Sequence, residues 1–348
     1  MKKVLSVFNY LVFLLLGVLF LWLVFRNLNG REILDEILHA DYLWIVLCML
    51  AGLFSHVARA ARWNLLIGSM GHQTRLTTTF YAVMTGYLAN TAVPRLGEVT
   101  RCGVLSKQTG VPFRELLGTV IAERIFDMIV MLLIIIAVII FQLSLVGVFV
   151  NKYVFSPLFS HFEHNFVPIL LFAALLAVMV LLLVFIWKRF GHRLEGYAFY
   201  RKLVQFWRGM VEGTKTIKRM RNKTLFLFYT VLIWGLYTLM IYLPFHSLEA
   251  TSSLNFIDAL TVMSIGSLGI VAPVPGGIGT YHFIVKAILF ELYGIPQASA
   301  ASFATITHAA QTLMIIVVGG LSFLMLFLQK SNKYGSSGIY KSEDLPNG

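Results

Sequence analysis

The stretch AERIFDMIVMLLIIIAVIIFQL, residues 122–143, carries two opposed chemistries on one segment. From Ile129 to Phe141 no residue is polar, yet Glu123, Arg124 and Asp127 stand directly ahead of that run. A helix needs about 20 apolar residues to cross a hydrocarbon layer, where every backbone polar group must be satisfied internally. The segment therefore reads as a transmembrane helix. Charge inside a bilayer costs at least ~2.5–3.5 kcal/mol per residue on insertion scales, so these three side chains need partners or a purpose.

The rest of the chain is of the same kind. Its 348 residues are 58% hydrophobic and 13% charged, against about 25% charged in soluble domains. Mean hydropathy is +0.80. The apolar residues fall in long blocks rather than the short alternating segments of a membrane β-barrel. Full spans are expected at Val4–Phe25, Leu43–Leu66, Ala122–Leu143, Phe166–Trp187, Leu225–Phe245 and Ala300–Leu328. Two further apolar stretches, Thr77–Val104 and Ile257–Tyr293, are interrupted by Gly, Pro and polar residues. The expected fold is thus an all-α membrane protein with about six full transmembrane helices plus two inverted re-entrant or broken helical elements. It occupies residues 1–330, followed by a disordered cytoplasmic tail at 331–348. Val4–Phe25 follows Lys2 and Lys3 but lacks a small-x-small cleavage site, so it reads as a retained span rather than a signal peptide.

The net charge of +12 is not a nucleic-acid footprint, because the basic residues crowd into particular loops. Eleven of them lie between Lys188 and Lys223, which places that connection on the cytoplasmic side. Both termini then fall on the same side, and the acidic segment Glu32–Asp41 falls outside, with the connections at 151–165 and 247–258. Part of the basic loop, Arg201–Lys223, mixes basic and apolar positions and suits a helix along an anionic leaflet. The two cysteines, Cys48 and Cys102, have neither CxxC spacing nor a partner, so neither a metal nor a cofactor is expected.

The interrupted stretches resemble one another. Val83-Met84-Thr85 leads to Pro94-Arg95-Leu96-Gly97, and Val262-Met263-Ser264 leads at the same spacing to Pro273-Val274-Pro275-Gly276. A polar-spiked helix follows each, Thr119–Glu123 and Ala304–His308. The orientation argument brings the two stretches in from opposite faces, an arrangement that recurs in transporters.

Three clusters carry the candidate chemistry. In the first, Asn90 precedes Pro94, and Arg95, Glu98 and Arg101 recur every three residues on one helical face. Two guanidinium forks with one carboxylate suit a phosphate. In the second, Glu123 and Asp127 share a face, and Arg124 is spaced to pair with Asp127. Pairing with Arg95 or Arg101 would offset their burial. In the third, prolines and Gly276, Gly277 and Gly279 break the chain before a helix expected near Ile278, with His282 and Lys286 four apart on it. Its first N–H groups are placed to attract an anion. Each cluster also admits a structural reading: a solvated interfacial helix, an ion-pair brace and a hairpin turn, respectively. Arg59 and Arg62-Trp63 read as an interfacial anchor, and His308 and Gln311 either line a cavity or, the favoured reading, make helix–helix hydrogen bonds.

Taken in order, Arg59-x-x-Arg62-Trp63, Asn90-x-x-x-Pro94-x-x-Gly97-Glu98-x-x-Arg101, Glu123-Arg124-x-x-Asp127 and Pro273-x-Pro275-Gly276-Gly277-x-Gly279 resemble the flippase-like integral membrane family. That family comprises the transmembrane region of bacterial lysylphosphatidylglycerol synthases and its stand-alone relatives. The resemblance implies a protein of the bacterial cytoplasmic membrane. Its substrate would be a membrane phospholipid or lipid-linked headgroup, anionic or aminoacylated, moved between leaflets. One departure stands out: His282 occupies a place where the family often has an acid, making this half neutral or pH-sensitive. The soluble aminoacyl-transferase domain of the full synthases has no counterpart before Gly348, so phosphatidylglycerol lysyltransferase chemistry is not expected. A lipid-modifying enzyme or its membrane subunit, and a membrane scaffold, remain the alternatives. No nucleic-acid partner is expected, and a homodimer is left open.

Overall fold

A computed structural model describes residues 2–142, 222–271 and 274–328, and among these there is no strand. Ten helices appear in order: α1 (Lys2–Phe25), α2 (Gly30–His39), α3 (Tyr42–Gly68), α4 (Leu76–Ala92), α5 (Gly97–Thr109), α6 (Phe113–Phe141), α7 (Lys223–Phe245), α8 (Phe256–Val271), α9 (Thr280–Tyr293) and α10 (Gln297–Leu328). Four of them, α3, α6, α7 and α10, are long and apolar enough to cross a membrane. A fifth crossing is reached if Leu14–Phe25 of α1 and all of α2, bent by 91°, form one broken span. The expected span Phe166–Trp187, most of the basic loop, the connection 151–165 and the tail 331–348 lie outside the described residues.

Local chemistry sets the boundaries. Asn29 and Asp41 each offer a side-chain oxygen to a backbone N–H two residues on, at 3.0 Å, capping α2 and α3. At the far ends of α5 and α9 the chain turns through Gly110 (φ 78°) and Gly294 (φ 66°), a left-handed conformation that costs glycine nothing.

The repeat expected from sequence is visible in the order of elements. Helices α3 to α6 contain 27, 17, 13 and 29 residues, and α7 to α10 contain 23, 16, 14 and 32. Each set runs long, short, short, long. The corner before the last helix is built alike in both: Gly110-Val111-Pro112 and Gly294-Ile295-Pro296, with Val111 and Ile295 buried. The two sets interlock crosswise. Helix α3 packs along α7, while α4 packs on α10 and α8 on α6. At 1.5 Å per residue, α4 and α8 are about 25 Å long, short of the ~30 Å hydrocarbon layer.

The two larger apolar cores among the described residues hold this together. One gathers Trp63, Leu66, Val83, Leu105 and Leu116 of the first set with Phe226 of α7. The other gathers Phe245, Val262, Tyr281, Val285 and Phe303 in the second. The outward faces are apolar as well: Leu133, Ile140 and Phe141 on α6 and Leu313, Leu321 and Phe327 on α10 are exposed. Exposed apolar surface on this scale marks a face made for lipid rather than water.

Candidate functional site

The polar interior is built on α3. His56, Arg59 and Arg62 recur at helical spacing, and all three are buried. Arg59 reaches the two carboxylates of α6, its Nε donating to Glu123 at 3.0 Å and its Nη2 to Asp127 at 2.7 Å. Its Nη1 donates to the hydroxyls of Tyr87 and Tyr237, the latter at 3.0 Å. Arg62 lies 2.7 Å from Asp127 and 3.6 Å from Glu123, and donates to the Thr230 hydroxyl. From α5, Arg101 contacts Glu123 at 3.4 Å and lies over the Trp63 ring, whose N–H donates to Thr119. Three buried arginines thus share two buried carboxylates. Such pairs offset the desolvation of their members only while every partner stays in place.

This corrects two expectations and decides a third, the choice between Arg95 and Arg101. Arg59 and Arg62-Trp63 do not anchor α3 at an interface, because both arginines are committed to buried carboxylates and Trp63 is fully enclosed. Arg124 does not pair with Asp127. The Asp127 carboxylate turns toward Arg59 and Arg62, and Arg124 points outward to Glu98 at 3.0 Å. Glu123 and Asp127 take their compensation from Arg59, Arg62 and Arg101, not from Arg95. The Arg95 backbone precedes α5 at φ 65°, and among the described residues it alone is a non-glycine at positive φ. Among them, too, its guanidinium has no ion-pair partner. The Asn90 side chain accepts from the Gly97 N–H at 2.6 Å, closing the turn into α5.

The second broken element arrives at the same place. Gly276 (φ 59°) lies beside Thr91 at the end of α4. The turn is fastened by His308 of α10, whose Nε2 is 2.9 Å from the Gly276 carbonyl. Helix α9 begins at Thr280 rather than near Ile278, since Gly279 at φ 83° interrupts the helical backbone first. His282 is buried against His308 with ring centroids 4.7 Å apart, and its Nδ1 accepts from the Gly279 N–H at 3.4 Å. Lys286 faces the other way and donates to the Val24 carbonyl of α1 at 2.9 Å. It therefore does not share a site with His282.

Between the two elements lies a cavity of about 490 Å³. Asn90, Arg95, Glu98, Arg124, Asp127, Gly276 and Gly277 line it, as their sequence positions suggested. Arg101, Glu123, Gly279, His282 and Lys286 stand behind or away from its wall. His56, Arg59, Tyr87, Tyr237 and Tyr281 line it without having been singled out as site residues. The stripe His56–Arg59–Arg62 was the available signal, but a polar stripe near a span's end reads equally well as an anchor. Among the described residues no group of three or more His, Cys, Asp or Glu side chains is placed to hold a metal ion.

Residues 10–319 match the family described as the lysylphosphatidylglycerol synthase TM region. The chain belongs to that family. It is also 22% identical over 335 residues to a UPF0104 membrane protein of Methanothermobacter thermautotrophicus, an alignment covering 90% of this chain and 91% of the relative. No solved structure matches. This is a multi-pass membrane protein of that family, and the motif residues Arg59, Arg62, Arg101, Glu123 and Asp127 are the members of its buried network.

Proposed function

We propose that the chain carries an anionic or lipid-linked headgroup between membrane leaflets through the cavity at the meeting point of the two broken elements. One observation carries this reading: a cavity large enough for a headgroup, bearing Arg95 and Arg124 at its wall, lies between two crosswise-packed repeats. Lipid tails can stay in the bilayer while the headgroup occupies the cavity. Rocking of one repeat against the other would then change the side to which the headgroup is open. The basic loop between α6 and α7 supports cytoplasmic termini and residence in a cytoplasmic membrane.

The test is leaflet exchange of fluorescent phospholipids in vesicles reconstituted with the purified protein. Wild type should exchange anionic lipids, and Arg95→Ala and Arg124→Ala should slow exchange about tenfold while melting normally, the effect of losing one charge-assisted contact. Folded wild type with no exchange of any anionic lipid would overturn the reading. Formation of lysyl-lipid from lysyl-tRNA and phosphatidylglycerol would favour the enzyme instead.

A further inference from the structure

The charge inventory of the cavity and the network behind it narrows the substrate. Four arginines, Arg59, Arg62, Arg101 and Arg124, are served by three carboxylates, Glu98, Glu123 and Asp127. Arg95 adds a fifth guanidinium at the wall. The described residues thus hold an excess of two positive charges: one within the buried network of Arg59, Arg62, Arg101, Glu123 and Asp127, where uncompensated charge is costly, and one at the exposed Arg95 on the cavity wall. A zwitterionic headgroup returns none of that excess and a phosphodiester returns one charge. An aminoacylated headgroup fares worse, because among the described residues lining the cavity its ammonium finds no unpaired carboxylate: Asp127 is held by Arg59 and Arg62, and Glu98 by Arg124.

His56 points the same way independently. It is 4% exposed, lines the cavity and stacks on Tyr87 at 4.4 Å, yet neither ring nitrogen has a hydrogen-bond partner among the described residues. A buried polar group without a partner is expensive to maintain unless a ligand supplies one.

Resting on the lipid-carrier reading, we infer that the cavity selects a headgroup ending in a phosphate monoester, doubly charged and with three free oxygens, over phosphodiester and aminoacylated headgroups. Arg95, Arg124 and His56 are the donors that meet those oxygens, and the terminal phosphate completes the charge balance. A monoester carries close to two charges above its second pKa of about 6.

The experiment measures binding of short-chain phosphatidic acid, phosphatidylglycerol, lysyl-phosphatidylglycerol and free glycerol phosphate to the purified full chain in detergent near about pH 8, above that pKa. Phosphatidic acid should bind at least about tenfold more tightly than phosphatidylglycerol, as one further compensated charge warrants, with the lysyl lipid weakest. Phosphatidylglycerol or the lysyl lipid binding as well as phosphatidic acid would overturn the inference, even if leaflet exchange stands. Selectivity for phosphatidic acid without exchange of any lipid would instead overturn the carrier reading alone. Glycerol phosphate binding as tightly as phosphatidic acid would make the ligand a soluble phosphate and overturn the lipid assignment. His56→Phe keeps the stacking surface and should weaken phosphatidic acid about tenfold while leaving phosphatidylglycerol within about twofold. Equal losses for both would remove His56 from recognition. The wall variant Arg95→Gln, which leaves the core untouched, should likewise erase most of the preference; an unchanged preference would count against the inference.

Discussion

Measured from the Gly-x-Pro corner of each repeat, Arg124 and His308 stand at the same place on α6 and α10, and Glu98 and His282 at the same place on α5 and α9. In the first repeat those places hold an ion pair at 3.0 Å, and in the second two stacked imidazoles. Glu123 corresponds in the same way to Thr307, and Asp127 to Gln311. The backbone plan was kept while its cement changed: buried charge on one side, apolar packing with neutral hydrogen bonds on the other. A cavity with one charged wall follows. On the proposed reading the charged half would hold the anion, and the neutral half would offer a glycine turn that allows close approach without competing for the charge.

The sharpest way to break the comparison is to neutralise its central carboxylate. Glu123→Gln leaves Arg101 without a carboxylate and Arg59 and Arg62 sharing Asp127 alone, and should cost about 3–5 kcal/mol of stability. Thr307→Val at the matching place loses the neutral hydroxyl contacts to Tyr281 and to the Phe303 carbonyl of its own helix, and should cost about 1 kcal/mol. Thermal melting in detergent reads both, and equal losses would show that the network does not hold the first repeat together. Next in size are the close crossings. A methyl at Gly97 would run into the Gly86 carbonyl and the Asn90 side chain, and one at Gly279 into the Gly17 carbonyl. Both alanine variants should lose about 1–3 kcal/mol, with melting temperature as the readout. Arg95→Gly separates function from fold: relief of the left-handed backbone should raise stability by about 1 kcal/mol. Leaflet exchange should fall about tenfold with the lost guanidinium. Smallest and most symmetric are Gly110→Ala and Gly294→Ala, which should each cost about 1 kcal/mol because both sit at positive φ. Clearly unequal losses would deny that the two corners are equivalent.

Much was legible in the linear text. Apolar block length alone placed α3, α6, α7 and α10, because the thickness of a bilayer leaves few other ways to satisfy twenty apolar residues. Pro and Gly marked where α4 and α8 stop, since one lacks a donor and the other tolerates left-handed backbone. The matching order of those interruptions also exposed the repeat. Spacing could not decide pairing. Arg124 and Asp127 lie three apart on one helix, yet one side chain faces α5 and the other α3, so their partners come from different helices. Nor could it decide depth: Arg59 and Arg62 have an anchor's composition, and only α6 packed alongside α3 supplies the carboxylates that bury them. Sequence determined which residues carry charge and where the helices break. Tertiary structure decided which charges cancel and which remain at the cavity wall, because cancellation depends on distances between helices that local propensity does not encode.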